Sequence, residues 1–162
     1  MRVMTSKVAI FVDVQNIYYT CKEKYRKHFD YNRFWQSATQ DKQVVVAHAY
    51  AISSKDPGQR QFHHILRGIG FDVKLKPFIQ RWDGSAKGDW DVGLALDAFE
   101  HAPIVDEVIL LSGDGDFEIL VERIQQKFGK KVTVYGVPGL TAQNLQAIVD
   151  KYIPIEDELL LP

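Results

Sequence analysis

Apolar positions along this chain fall into short runs separated by amphipathic stretches. Residues 8–12 (VAIFV) are continuously apolar, as in a strand buried on both faces. Residues 15–29 have helical character, and residues 31–39 read as a second short helix. A β-branched run over 43–53 predicts a second strand. Asp56-Pro57 starts a helix that Gly70 stops. Residues 71–79 alternate, which predicts a third, less buried strand before a polar loop over 81–90. A helix over 91–102, a strand over 107–112, a helix over 116–129 closed by Gly129, and a strand over 131–137 follow. Residues 141–150 read as a short helical segment and the rest as an extended tail. Strand–helix alternation predicts an α/β architecture of three layers: a mainly parallel five-stranded sheet with helices on both faces. We expect a single domain over 1–162, with its core at about 7–137 and a C-terminal helix and tail over 138–162.

Right-handed crossovers put all strand carboxyl ends on one edge, where such sheets bind ligands. Asp13, Asp114 and Asp116 lie just past strand ends, so three acids are delivered to that edge. Each also sits where a strand turns into a helix, and an aspartate there is a favoured cap. Capping accounts for one acid, not for the doubled acid of VILLSGDGDFEILVERI (108–124). Two carboxylates about 5 Å apart repel by roughly 3 kcal/mol at an effective dielectric of 20, more than the ~0.3–1 kcal/mol a helix dipole returns. A divalent cation is the usual counter-charge for such a group.

The helix over 91–102 is apolar nearly all round, with Val92, Leu94, Ala95, Leu96, Ala98 and Phe99, so we expect it to be largely buried. It nevertheless carries Asp91 in its first turn and Asp97 in its middle. The two are about 120° apart around the helix, so they do not share one ion. Asp91 is expected to reach the acid edge. Asp97 needs a base or hydrogen-bond donors of its own.

Composition narrows the field only modestly. The net charge of −1 announces neither nucleic acid nor membrane. A single cysteine, Cys21, rules out an internal disulfide framework, and a buried thiol on a helix is the expected reading. With no signal-like segment and no apolar run near the ~20 residues that span a bilayer, a cytoplasmic protein without membrane contact is expected. SGDGDF is not a calcium-binding EF-hand loop, since the glycine required at position six is Ile119. Neither a P-loop nor a G-x-G-x-x-G motif occurs, so no dinucleotide is expected. Gln15 stands where a haloacid-dehalogenase-type phosphatase has a second aspartate. His63 and His64 face different directions and read as ordinary helix residues. The segment 74–90 interleaves Lys74, Lys76, Arg81 and Lys87 with Phe78, Trp82 and Trp90, and leads into Asp91. It is either a solvated loop with anchoring tryptophans or a strip that holds phosphates and stacks bases.

Three motifs in order, D-V-Q-N from Asp13 to Asn16, K-G-D-W-D-V from Lys87 to Val92 and S-G-D-G-D-F from Ser112 to Phe117, resemble the NYN domain family of PIN-like nucleases, and its bacterial LabA-like subgroup in particular. The resemblance spans about residues 7–137. It implies strand order 3-2-1-4-5 and a Mg²⁺- or Mn²⁺-dependent ribonuclease, acting on single-stranded RNA through a water activated by metal. Carried over, the catalytic and metal-holding residues are Asp13, Asp91, Asp114 and Asp116. Asn16 and Ser112 are polar helpers; Lys87 and Arg81 are phosphate contacts; Trp82 and Trp90 are base-stacking candidates. Two other readings stay open: an RNA-binding or regulatory module of the same fold with little or no turnover, and a structural protein whose acids only cap helices. A homo-oligomer is also left open.

Overall fold

The structure is a computed structural model that describes residues 5–76, 79–80, 86–87 and 90–162. Six described strands form one sheet: β1 (Ser6–Asp13), β2 (Lys42–Ile52), β3 (Asp72–Lys76), β4 (Glu107–Leu111), β5 (Lys131–Gly136) and β6 (Lys151–Pro154). Their order is β3-β2-β1-β4-β5-β6, and every pairing is parallel. A separate antiparallel ribbon pairs Ile79–Gln80 with Ala86–Lys87. The expected α/β sheet is therefore present with one strand more than the sequence predicts.

That sixth strand is the start of the expected tail. Its sequence, KYIP, has no apolar run, because an edge strand is covered on fewer sides than a central one. Pro154 is tolerated there for the same reason: an edge residue need not donate to a further strand. Beyond it the tail folds back on the core rather than extending, with Ile155, Leu159 and Leu160 buried. Leu160 bridges Phe29, and the Tyr25 hydroxyl donates to the Ile155 carbonyl at 2.6 Å.

Alternation along β1 divides the interior. Val8, Ile10 and Val12 face α1 (Val14–Tyr25), α2 (Tyr31–Thr39) and α3 (Pro57–Ile69) through Ile17, Phe34 and Leu66. Ala9 and Phe11 face α4 (Asp91–His101), α5 (Glu118–Phe128) and α6 (Gln143–Ile148) through Leu94, Val121, Ile124 and Leu145. The first helix stops four residues short of its predicted end, because Arg26 turns left-handed (φ 57°) and aims Phe29 at the tail. The third strand likewise ends at Lys76, not at residue 79.

α4 departs from expectation in a different way. Leu94 and Ala98 are buried, but Val92 is 72% and Leu96 60% exposed. The helix lies on the outside of the sheet and offers it only one stripe, so apolar residues on its far side meet solvent. Cys21 is buried as expected, and burial pushes its thiol up to about 11. No helix among the described residues is long and apolar enough to cross a membrane.

At the opposite edge from the strand carboxyl ends, buried Glu107 accepts from the Lys42 ammonium at 2.8 Å and from the Thr133 hydroxyl. Burial opposes its ionisation, but those two hydrogen bonds and the charges of Lys42 and Lys131 outweigh it, so its pKa is lowered. A carboxylate with a lowered folded pKa stabilises the fold above its unfolded pKa and loses that contribution as pH falls through the folded value. Glu107→Gln should therefore cost about 1.5–3 kcal/mol at pH 7. Urea melts at stepwise lower pH should show the gap between variant and parent closing in the acid range.

Candidate functional site

Strands wind outward in opposite directions from β1 and β4, so the sheet's switch point lies between them. Asp13 ends β1 there. Just past β4 the chain runs Ser112-Gly113-Asp114-Gly115-Asp116-Phe117, entering α5 through a 3₁₀ turn over Gly115–Phe117.

Hydrogen bonds fix this turn from within and from both sides. Fully buried Ser112 donates its hydroxyl proton to Asp13 Oδ2 (3.1 Å) and accepts from the Asp114 N–H (3.2 Å). The Asn16 side-chain carbonyl accepts from the Gly113 N–H at 2.9 Å. Asp114 Oδ1 accepts from the Asp116 N–H at 2.9 Å. On the far side, the Ala142 N–H donates to the Gly113 carbonyl (2.9 Å), and Asn144 Nδ2 donates to the Gly115 carbonyl (3.0 Å) and to Glu118 (2.8 Å). Both glycines are required by this close approach. A Cβ at Gly113 would stand 2.7 Å from the Leu140 carbonyl oxygen, and one at Gly115 2.7 Å from Asn144 Oδ1.

α4 presents Asp91 from its first turn, and two anchors hold that helix against β2. The Trp90 indole N–H donates to the Ala51 carbonyl at 2.8 Å. The Tyr50 hydroxyl donates to Asp97 Oδ2 at 2.6 Å. His48 Nδ1 lies 3.0 Å from that hydroxyl, whose one proton is committed to Asp97, so the ring nitrogen is the donor. His101 Nδ1 donates to the Asp97 carbonyl at 2.7 Å. Burial, and the nearby Lys74 charge, lower the His48 pKa despite the opposing pull of Asp97 and Asp72, favouring the neutral ring. Burial, the hydrogen bond to Asp97 and its charge raise the Tyr50 pKa. The mid-helix acid that the sequence left in need of a partner thus closes a buried polar network.

Asp91, Asp114 and Asp116 each place one carboxylate oxygen within 4.8 Å of the others. Asp91 and Asp114 are half-buried and Asp116 is exposed, so water weakens but does not remove their repulsion. No ion pair to Asp114 or Asp116 occurs among the described residues. Two oxygens on one hard cation at about 2.0–2.6 Å lie at most about 4–5 Å apart. Spacing and ligand type are those of a site for a hard divalent cation.

Other predicted site residues fall differently. Asp13 lies outside the 4.8 Å group and joins it through Ser112. It also caps α1, accepting from the Asn16 N–H at 3.4 Å. Ser112 has no exposed surface with which to meet substrate, and the Asn16 carbonyl is occupied by the turn. The Trp90 ring packs on Tyr50 (5.5 Å between centroids) with the Lys76 ammonium 5.0 Å from its centre. A Cβ on Gly93 would come within 2.8 Å of that ring. Trp90 thus anchors α4 rather than offering a free stacking face. Arg81 and Trp82 lie outside the described residues, and for Lys87 only the backbone is described. Sequence reasoning missed Asn144 and the His48–Tyr50 pair. Asn144 had no signal, being one polar residue in a short helix. Tyr50, a polar-tipped aromatic in a buried run, was the available clue for Asp97.

Comparison with known proteins places these motifs in context. The profile of the NYN domain matches residues 7–156. The chain is 31% identical over 160 residues to the "Low amplitude and bright protein LabA" of Synechococcus elongatus, covering 94% of this chain and 85% of that one. It is 67% identical to a crystallised protein of unknown function from Vibrio parahaemolyticus, with a TM-score of 0.95 over 99% of this chain and 100% of that one. A ribokinase from Giardia lamblia shares the fold alone, at 14% identity and a TM-score of 0.50, over 96% of this chain and 58% of that one.

The Asp97 network makes a direct stability claim. Asp97→Leu removes the carboxylate that accepts from the buried Tyr50 hydroxyl, leaving it only His48 Nδ1 after a change of tautomer, and should cost about 1–3 kcal/mol in urea unfolding. Asp97→Asn keeps an acceptor and should cost clearly less. Equal losses would show that the hydrogen bond does not hold α4.

Proposed function

The chain belongs to the NYN domain family, and from that premise we propose that it is a divalent-metal-dependent ribonuclease that hydrolyses phosphodiester bonds of single-stranded RNA. The observation that carries this reading is the convergence of Asp91, Asp114 and Asp116 at the sheet's switch point. These three would hold Mg²⁺ or Mn²⁺. The ion, when bound, supplies a water activated for in-line attack and stabilises charge on the attacking and leaving oxygens.

The chain's own residues set the conditions for that chemistry. Asp13 adds negative charge behind the turn, and Ser112 ties its carboxylate to the segment carrying Asp114. Asn16 holds Gly113 so that the two following acids keep their direction. Such outer partners orient ligands and prevent their spreading under mutual repulsion. Asp116 is exposed, so a polymer backbone can reach the acids without the protein opening. Lys87 and Arg81 would contact phosphates, and base stacking falls to Trp82 because the Trp90 ring is already packed. Single-stranded RNA suits this arrangement, since its backbone bends into a recess and its bases are free to stack.

Labelled single-stranded RNA with Mn²⁺ tests the proposal. Wild-type protein should cleave it, chelator should stop cleavage, and Asp114→Asn/Asp116→Asn should cut the rate at least 100-fold. In parallel melts, millimolar Mn²⁺ should raise the wild-type midpoint and leave the double variant unmoved. RNA bound but not cut by wild type would establish the regulatory-module reading instead. An unmoved wild-type midpoint would reduce the acids to helix caps.

A further inference from the structure

A groove opens between α1 and the start of α3. It has two chambers, of about 380 and 430 Å³. Tyr18, Gln59 and Phe62 line both and form the sill between them. The first chamber is lined by Val14 and Gln15, which directly follow Asp13, and by Ala51 and Ile52 at the end of β2, so it lies at the strand carboxyl-end edge of the sheet. The second runs on toward His28 and Leu161.

We propose that this groove seats two successive bases of the same RNA strand whose phosphate lies at the acids, one base in each chamber. The inference deepens the ribonuclease reading and rests on it for the strand's starting point. Each chamber lies within the range of small-ligand sites, roughly 300–1,000 Å³. A base needs a flat apolar surface and a group that both donates and accepts at its edge. Tyr18 and Tyr19 supply rings at the first chamber, and Tyr19, in the second turn of α1, is 60% exposed. Tyr18 packs edge to face on Tyr19 at 5.2 Å and stacks on His28 at 5.7 Å, with the Lys22 ammonium 5.6 Å from its centre, so Tyr19 is the ring of the two that is open to a base. Base stacking on such aromatic rings tolerates any sequence. Gln15 and Gln59 supply amides with both donors and an acceptor.

Charge agrees with this occupant. Among the described residues, the lining of the first chamber contains no carboxylate. Asp56 in the second is engaged in capping α3, accepting from the Gly58 N–H at 3.4 Å. Lys55 and Arg60, next in the chain to the lining residues Ser54 and Gln59, are exposed and bring basic charge to this part of the surface. From Asp13 the chain leads into the rings and amides of the first chamber, and Tyr18, Gln59 and Phe62 join that chamber to the second.

The test uses a fluorescein-labelled ten-nucleotide RNA with a phosphorothioate backbone, which resists hydrolysis, titrated in Mn²⁺ by anisotropy. Tyr19→Ala/Gln59→Ala changes two side chains on the exposed wall of the groove and should weaken binding at least tenfold. Its metal-free melting midpoint and its Mn²⁺-induced shift should match wild type. A loss of less than tenfold overturns the groove assignment. So does wild-type protein that gives the Mn²⁺ shift but binds no RNA, an outcome that leaves the metal centre standing. Conversely, weakened RNA binding in the variant with no Mn²⁺ shift in wild type supports the groove and removes the metal reading. A 4-thiouridine crosslink should map to peptides of Val14–Tyr25 or Pro57–Ile69; crosslinks confined to other segments overturn the assignment.

Discussion

Like charges do not gather by themselves, and the organisation of this protein's functional edge follows from the backbone that forces them together. Parallel strands joined by right-handed crossovers must turn into helices at one edge. Beside each such turn, an aspartate can accept hydrogen bonds from free N–H groups. Asp13 and Asp114 do so, each accepting from a backbone N–H two or three residues on. Capping and clustering are therefore not competing explanations. Capping lowers the local cost of each acid, while the sheet's switch point sets their separation.

What keeps the arrangement from relaxing is a frame of neutral groups. Ser112 links Asp13 to the turn; Asn16 and Asn144 grip its carbonyl and N–H groups from opposite sides. Asp91 comes from a separate helix, and that helix is fastened to β2 at Trp90 and again at Asp97. Each fastening uses a neutral donor on an acceptor, so it adds no positive charge that would compete with a cation. These two fastenings thus position the helix that carries Asp91 without themselves bringing positive charge.

Much of this could be read from the chain because its strongest signals are local. Central strands such as β1 and β4 are buried on both faces, so their middles must be apolar, and the runs 8–12 and 108–111 announce themselves. The caps Asp56 and Gly70 mark α3 for equally local reasons. Signals that depend on tertiary position were not legible. KYIP becomes a strand only because β5 offers it an edge. The exposed Val92 and Leu96 follow from where α4 sits, which helical periodicity does not specify. At the site, the doubled acid of SGDGD is a chemical anomaly visible in one dimension. The partners that position it are not, since Asn144 lies 28 residues beyond Asp116 and Tyr50 lies 47 before Asp97. Trp90 was ambiguous in one dimension, an anchor or a ligand contact, and the bond from its indole N–H to Ala51 that supports the anchor depends on tertiary position.

The site's electrostatics also constrain the order in which its partners act. A polyanion approaching three clustered carboxylates is repelled, so any contact of RNA with the aromatic groove must be made against that field. A bound divalent cation reverses the sign of the local interaction. RNA would then bind more tightly to the metal-loaded protein. Linkage requires the metal to bind more tightly to the RNA-loaded protein by the same factor. The acids and the groove act as one site on this view, with the cation as the term that couples them. That coupling gives a physical reason for the exposed position of Asp116: an ion shared between carboxylates and a phosphate must have one side open to the strand.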